Sequence, residues 1–142
     1  MPVELVPDLD VPGCGSVFVS VEVGDRIVRA ALDTGAVRTM LIDLPSSARP
    51  VGRRETSGVF GTEAVTEWEI AEVRIGSLRA GPITVDRIAG RAGLHPVVGL
   101  DVLGTGPWQL DLSCRTLVTG VPVPRGAAFE RGAHGHVLTE MR

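Results

Sequence analysis

The sequence predicts an all-β fold in a single domain, and three observations carry that prediction. The 142 residues include 18 glycines and 10 prolines beside frequent valine, a mix that favours short strands joined by tight turns. Apolar and polar residues alternate from Ser16 to Val23, the period of a half-buried strand. Turn signals recur at Gly24-Asp25, Gly76-Ser77 and Gly104-Thr105-Gly106-Pro107. With 44% apolar and 22% charged residues, the chain has an ordinary globular composition and enough length to bury a core without a staple.

The elements follow in order. Residues 1–15 read as an irregular N-terminal arm ending in Pro12-Gly13-Cys14-Gly15. Val17, Val19, Val21 and Val23 share one face of the first strand, Gly24-Asp25 turns it, and Arg26 to Leu32 returns with Asp33 at its end. Met40 to Ile42 is a short strand, and Leu44 to Arg54, rich in Pro, Ser and Arg, reads as a loop. Glu55 to Ile75 reads as one long hairpin with the tip Ser57-Gly58-Val59-Phe60-Gly61-Thr62. Its descending arm alternates through Trp68, Ile70, Val73 and Ile75, and the skip after Ile70 reads as a bulge. Ile83 to Ile88 is a strand of imperfect alternation. His95-Pro96-Val97-Val98-Gly99 reads as a buried strand, and Leu100 to Leu103 as a short helix ended by Gly104. Trp108 to Leu112 and Thr116 to Thr119 form a hairpin around Ser113-Cys114-Arg115. Residues 120–142, with weak periodicity, read as either a mobile tail or a docked dimer arm.

Charge and composition exclude several functions. The net charge is −3 and all fourteen basic residues are arginine; without a basic face no nucleic-acid partner is expected. No stretch approaches the roughly 20 apolar residues of a membrane span, so no membrane partner is expected. Residues 1–12 carry Glu4, Asp8 and Asp10 with no basic start, so no leader is read there and the cytoplasm is the expected compartment. Cys14 and Cys114 read as reduced, partly buried thiols, and a disulfide between them is not established by sequence. His134-Gly135-His136 lacks a third nearby ligand, so no metal is assigned. There is no Gly-x-Ser-x-Gly elbow for a serine hydrolase. Trp68 and Trp108 read as packing residues, and Asp101 as a helix N-terminal charge.

The chemistry-bearing motif is Asp33-Thr34-Gly35-Ala36, delivered by the apolar run Val28 to Leu32. Gly58-Val59-Phe60-Gly61 follows at a hairpin tip, and Val97-Val98-Gly99 precedes the short helix. In that order these three segments resemble the retropepsin-type aspartic proteases, the single-lobe dimeric branch that includes retroviral proteases and bacterial relatives. The likeness spans residues 16–119 and implies a closed barrel with a flap hairpin and one short helix.

The resemblance implies a role for each residue. Asp33 is the catalytic carboxylate, with Thr34, Gly35 and Ala36 as its supporting loop. Thr34 bonds across a dimer to the opposite loop. Gly58, Val59, Phe60 and Gly61 form a flap that closes over an extended peptide. Val97 and Val98 back the Asp loop, and Gly99 lets it pass closely. Leu32, Val59, Phe60 and Val98 are apolar pocket candidates. Val37 departs from the small polar or acidic residue of many relatives.

Hydrolysis of a peptide needs a base to activate water and an acid to protonate the departing amine. Two carboxylates a few ångströms apart share one proton and supply both. The chain holds a single Asp-Thr-Gly, and Asp111 is followed by Leu112-Ser113 rather than Thr-Gly, so the partner carboxylate must be Asp33 of a second copy. The expected function is an aspartic endopeptidase acting on peptide or protein substrates as a homodimer without cofactor. The alternative is a non-catalytic peptide-binding or dimerisation module on the same fold.

Overall fold

Strands make up most of the described residues because short β-favouring runs are separated by glycine and proline turns. The computed structural model describes residues 1–58, 61–91 and 93–122, and the backbone at 130–131 and 137–138. The strands are β1 (Glu4–Pro7), β2 (Gly15–Val23), β3 (Arg26–Leu32), β4 (Met40–Leu41), β5 (Arg49–Gly58), β6 (Gly61–Ile70) and β7 (Val73–Ile75). Then come β8 (Leu78–Ala80), β9 (Ile83–Arg87), β10 (Val97–Val98), the single helical turn α1 (Leu100–Leu103), β11 (Trp108–Asp111) and β12 (Thr116–Thr119). Two further strands, β13 (Glu130–Arg131) and β14 (Val137–Leu138), pair with each other and, among the described residues, with no other strand.

Ten strands form one sheet in the order β5-β6-β9-β4-β10-β3-β2-β7-β8, with β1 added to β2. Its core gathers Val19, Val21 and Val23 of β2 with Ile70, Val73, Ile75, Val85, Val98, Val102, Leu103 and Leu117. Val17 packs against that cluster from a half-buried position, so the four alternating valines do share a face. Trp68 and Trp108 pack against the same core; the Trp108 indole N–H also donates to the Leu103 carbonyl at 3.0 Å. No helix among the described residues is long and apolar enough to cross a membrane.

The all-β class and the α1 boundaries match the sequence reading; the closed barrel does not. The sheet is open, ending at β5 and β8. The two ends of that order are blunted against further pairing: β8 has three residues, and β5 carries Pro50 and Gly52 and the exposed side chains of Arg49 and Arg53.

Other readings shift for identifiable reasons. Arg49 to Arg54, read as loop, is strand because it pairs along β6, with a register shift between Pro50 and Gly52 absorbing the misfit. Glu4 to Pro7, read as irregular, pairs with β2 from Glu4↔Phe18 to Pro7↔Gly15. Ahead of it Val3 N–H donates to the Arg115 carbonyl at 3.0 Å and Leu117 N–H to the Met1 carbonyl at 2.8 Å, docking the first residues on β12. The skip between Ile70 and Val73 is a strand break, not a bulge: β6 ends on β9 at Ile70↔Ile83, and β7 begins on β2 at Val23↔Val73. Cys14 and Cys114 are free and exposed rather than partly buried.

Candidate active site

Asp33 leaves the end of β3 where β10 lies parallel to it, with Val97↔Ala31 and Val98↔Leu32 in register. On its other side β10 runs antiparallel to β4 at Val97↔Met40. Residues 33–39 therefore arch from β3 to β4 over the end of the strand inserted between them. Asp33 N–H donates to the Val98 carbonyl at 3.1 Å, which continues the sheet into the loop. Val98 thus meets the loop through its carbonyl, while Val97 lies between Ala31 of β3 and Met40 of β4.

The Asp33 carboxylate is exposed, and its Oδ1 accepts from Gly35 N–H at 2.8 Å. Ala36 N–H donates to the Asp33 carbonyl at 3.3 Å, closing the turn. A side-chain carbon at Gly35 would sit 3.1 Å from that Oδ1, so the residue without one fits beside the bond. No hydrogen bond is formed to Oδ2 among the described residues. One oxygen is oriented by its own loop and the other is available. Thr34 is exposed beside it.

The loop is fixed from below by α1. Ala36 and Val37 carbonyls accept from Leu100 and Asp101 N–H at 2.8 and 3.2 Å, so the loop satisfies amides that a helix start leaves unpaired. The Asp101 carboxylate returns the contact, accepting from Thr39 N–H at 2.8 Å and from the Thr39 hydroxyl at 2.7 Å. Thr39 is fully buried, and its Oγ1 accepts from Gly99 N–H at 3.2 Å. A Cβ on Gly99 would lie 2.6 Å from the Ala36 carbonyl oxygen and 2.9 Å from the Arg38 carbonyl carbon. Asp101, read as a helix-end charge, is in addition the clasp of the Asp33 loop.

The β5–β6 hairpin runs to the paired Gly58 and Gly61, with Ser57 and Thr62 hydroxyls 2.9 Å apart near its end. Val59 and Phe60 lie outside the described residues, as do His134 and His136. Val98, read as a pocket candidate, is fully buried within the core, and Leu32 is half-buried against the same core. Asp111 spends its Oδ1 on the Ser113 hydroxyl at 2.6 Å and Cys114 N–H at 2.9 Å, inside its own turn. Among the described residues no three His, Cys, Asp or Glu side chains are grouped to hold a metal ion.

Sequence reasoning missed a charged cluster beside the loop. Arg38 donates to Glu67 of β6 and, at 3.2 Å, to Asp86 of β9; Arg54 of β5 donates to Asp86 through Nε at 3.0 Å and through Nη2. Burial opposes the charge on Arg38, but the Glu67 bond and the Asp86 carboxylate outweigh it and hold the guanidinium's pKa above its ordinary value. Periodicity carried no signal for it, because β9 mixes the apolar Ile83 and Val85 with Thr84, Asp86 and Arg87.

Comparison of the chain with protein-family models and with curated proteins finds no match.

Proposed function

We propose that the chain is a retropepsin-like aspartic endopeptidase, active as a homodimer in which Asp33 of each copy supplies half of a carboxylate pair. The observation that carries this reading is the Asp33 turn: an exposed carboxylate with Oδ1 held by Gly35 N–H and Oδ2 available, on a loop bonded to both β10 and α1. Such fixing lets a carboxylate keep one orientation through a reaction. The order of the Asp33 turn, the glycine-bracketed hairpin and Val97-Val98-Gly99 adds the family resemblance.

In this reading the two carboxylates share a proton. The ionised one takes a proton from water as the water oxygen bonds to the substrate carbonyl carbon. The other gives its proton to the carbonyl oxygen. The carbon–nitrogen bond then breaks as the amine takes up a proton from one carboxyl and a diol hydroxyl returns one to the other, leaving an acid, an amine and the pair with its shared proton. The β5–β6 hairpin serves as the flap, covering an extended peptide recognised through its main chain.

The test is cleavage of an unbiased peptide mixture from pH 4 to 7, read by mass spectrometry. The wild type is expected to cut, and Asp33→Asn to lose turnover while keeping its circular dichroism and melting temperature. A variant that retains the wild-type rate removes Asp33 from the chemistry.

A further inference from the structure

The proposed reaction leaves the most deeply buried charge among the described residues without a role. Asp86 is 0% exposed, and it and Thr39 are the only buried polar or charged residues described. An ionised carboxylate in such a place needs both paired charge and hydrogen bonds. Asp86 has them, and no buried side-chain polar atom described is left without a partner. Its two guanidiniums arrive from different parts of the fold. Arg38 belongs to the Asp33 loop, and Arg54 to the sheet-edge strand β5.

The strand register explains why cations must sit here. Glu67 of β6 lies directly opposite Asp86 of β9. Like charges in that relation repel. Arg38 bridges the two carboxylates, and Arg54 reaches across β6 to cover Asp86. All four side chains are at most about one-third exposed, at 33%, 20%, 0% and 35% for Arg38, Glu67, Asp86 and Arg54, so solvent and salt screen the cluster weakly.

The cluster also joins by side chains two segments whose backbones, among the described residues, meet only through β9. The remaining hydrogen bonds of loop 33–39 run to β10, α1 and β9: to Val98, Gly99, Leu100, Asp101 and Asp86. Among the described residues, Arg38 makes the only side-chain bond from that loop to the β5–β6 hairpin. The Arg91–Glu63 pair also ties the hairpin, but it is 53% and 42% exposed and does not reach the Asp33 loop. Replacing a buried ion pair by apolar residues is often neutral or stabilising. What this one supplies is a fixed relation between hairpin and loop.

We propose that Asp86 is a positioning residue that couples the β5–β6 hairpin to the Asp33 loop through Arg54 and Arg38. Its effect on turnover rests on the protease reading; its effect on the mobility of the two segments does not.

The full-length chain is examined by hydrogen exchange with mass spectrometry and by peptide kinetics. Asp86→Asn keeps the shape and removes the charge. It is expected to speed amide exchange about tenfold or more in both residues 33–39 and the β5–β6 hairpin, with β2 and β7 unchanged. Arg54→Gln, at a partly exposed position that tolerates change, frees the hairpin alone and raises KM more than it lowers kcat. Arg54→Lys restores most of the protection, and Arg91→Gln leaves residues 33–39 as in the wild type. Exchange that is unchanged in Asp86→Asn and Arg54→Gln, or raised equally in β2 and β7, overturns the coupling. A wild type that cuts no peptide removes the protease reading, and the exchange pattern still decides whether Asp86 joins the two segments.

Discussion

Gly99 shows how closely the Asp33 loop is held. Its α-carbon faces the Ala36 carbonyl and the Arg38 backbone at distances that leave no room for a methyl group. The atoms it would strike are backbone, not the flexible end of a side chain, so relief requires moving the loop. Gly99→Ala is therefore expected to lower stability by about 1–3 kcal/mol, the usual range for overpacking, read from the denaturant midpoint. Unchanged stability would mean that the loop yields at no cost. Residues of this kind were legible in sequence because a glycine between a buried strand and a helix start has few other reasons to be there. Asp86 was not legible. Both Val85 and Asp86 of β9 are buried, so the strand is covered on both faces and its alternation carries no sign of which polar residue is inside. The Thr39–Asp101 bonds were hidden for another reason, since they join residues 62 apart in the chain.

At the scale of elements, the β11–β12 turn gives a pH prediction. Asp111 Oδ1 accepts from the Ser113 hydroxyl and then from Cys114 N–H, and these bonds lower its pKa below the usual carboxylate value. A folded-state value depressed in this way stabilises the hairpin above the unfolded pKa of about 3.9, and the contribution fades as pH falls through the lower folded value. The gap in denaturant midpoint between wild type and Asp111→Asn is expected to be present at pH 6 and to shrink steadily below about pH 4. A gap independent of pH would show that the charge contributes nothing. This turn was readable because the runs Trp108 to Leu112 and Thr116 to Thr119 flank Ser113, Cys114 and Arg115. Strand β5 was not, since Arg, Pro and Gly have poor strand preference and only pairing with β6 makes Arg49 to Arg54 extended. The strand break after Ile70 was hidden because one alternating apolar run changes partners, from β9 to β2, without changing its pattern.

For the whole molecule, the central claim is that one chain carries half of an active site. The open sheet, the exposed Asp33 carboxylate and the single Asp-Thr-Gly are consistent with a site completed by another copy. A C2 pair brings the same loop from each subunit to one axis. Subunit mixing tests this most directly. Wild type and Asp33→Asn are refolded together in varied ratio at constant total chain, and peptide cleavage is measured against the wild-type fraction. If both carboxylates are needed, activity follows the square of that fraction, and an equal mixture retains about one quarter of the wild-type rate. Activity that falls in simple proportion, with about one half left in the equal mixture, would mean that each chain works alone and would contradict the dimeric dyad.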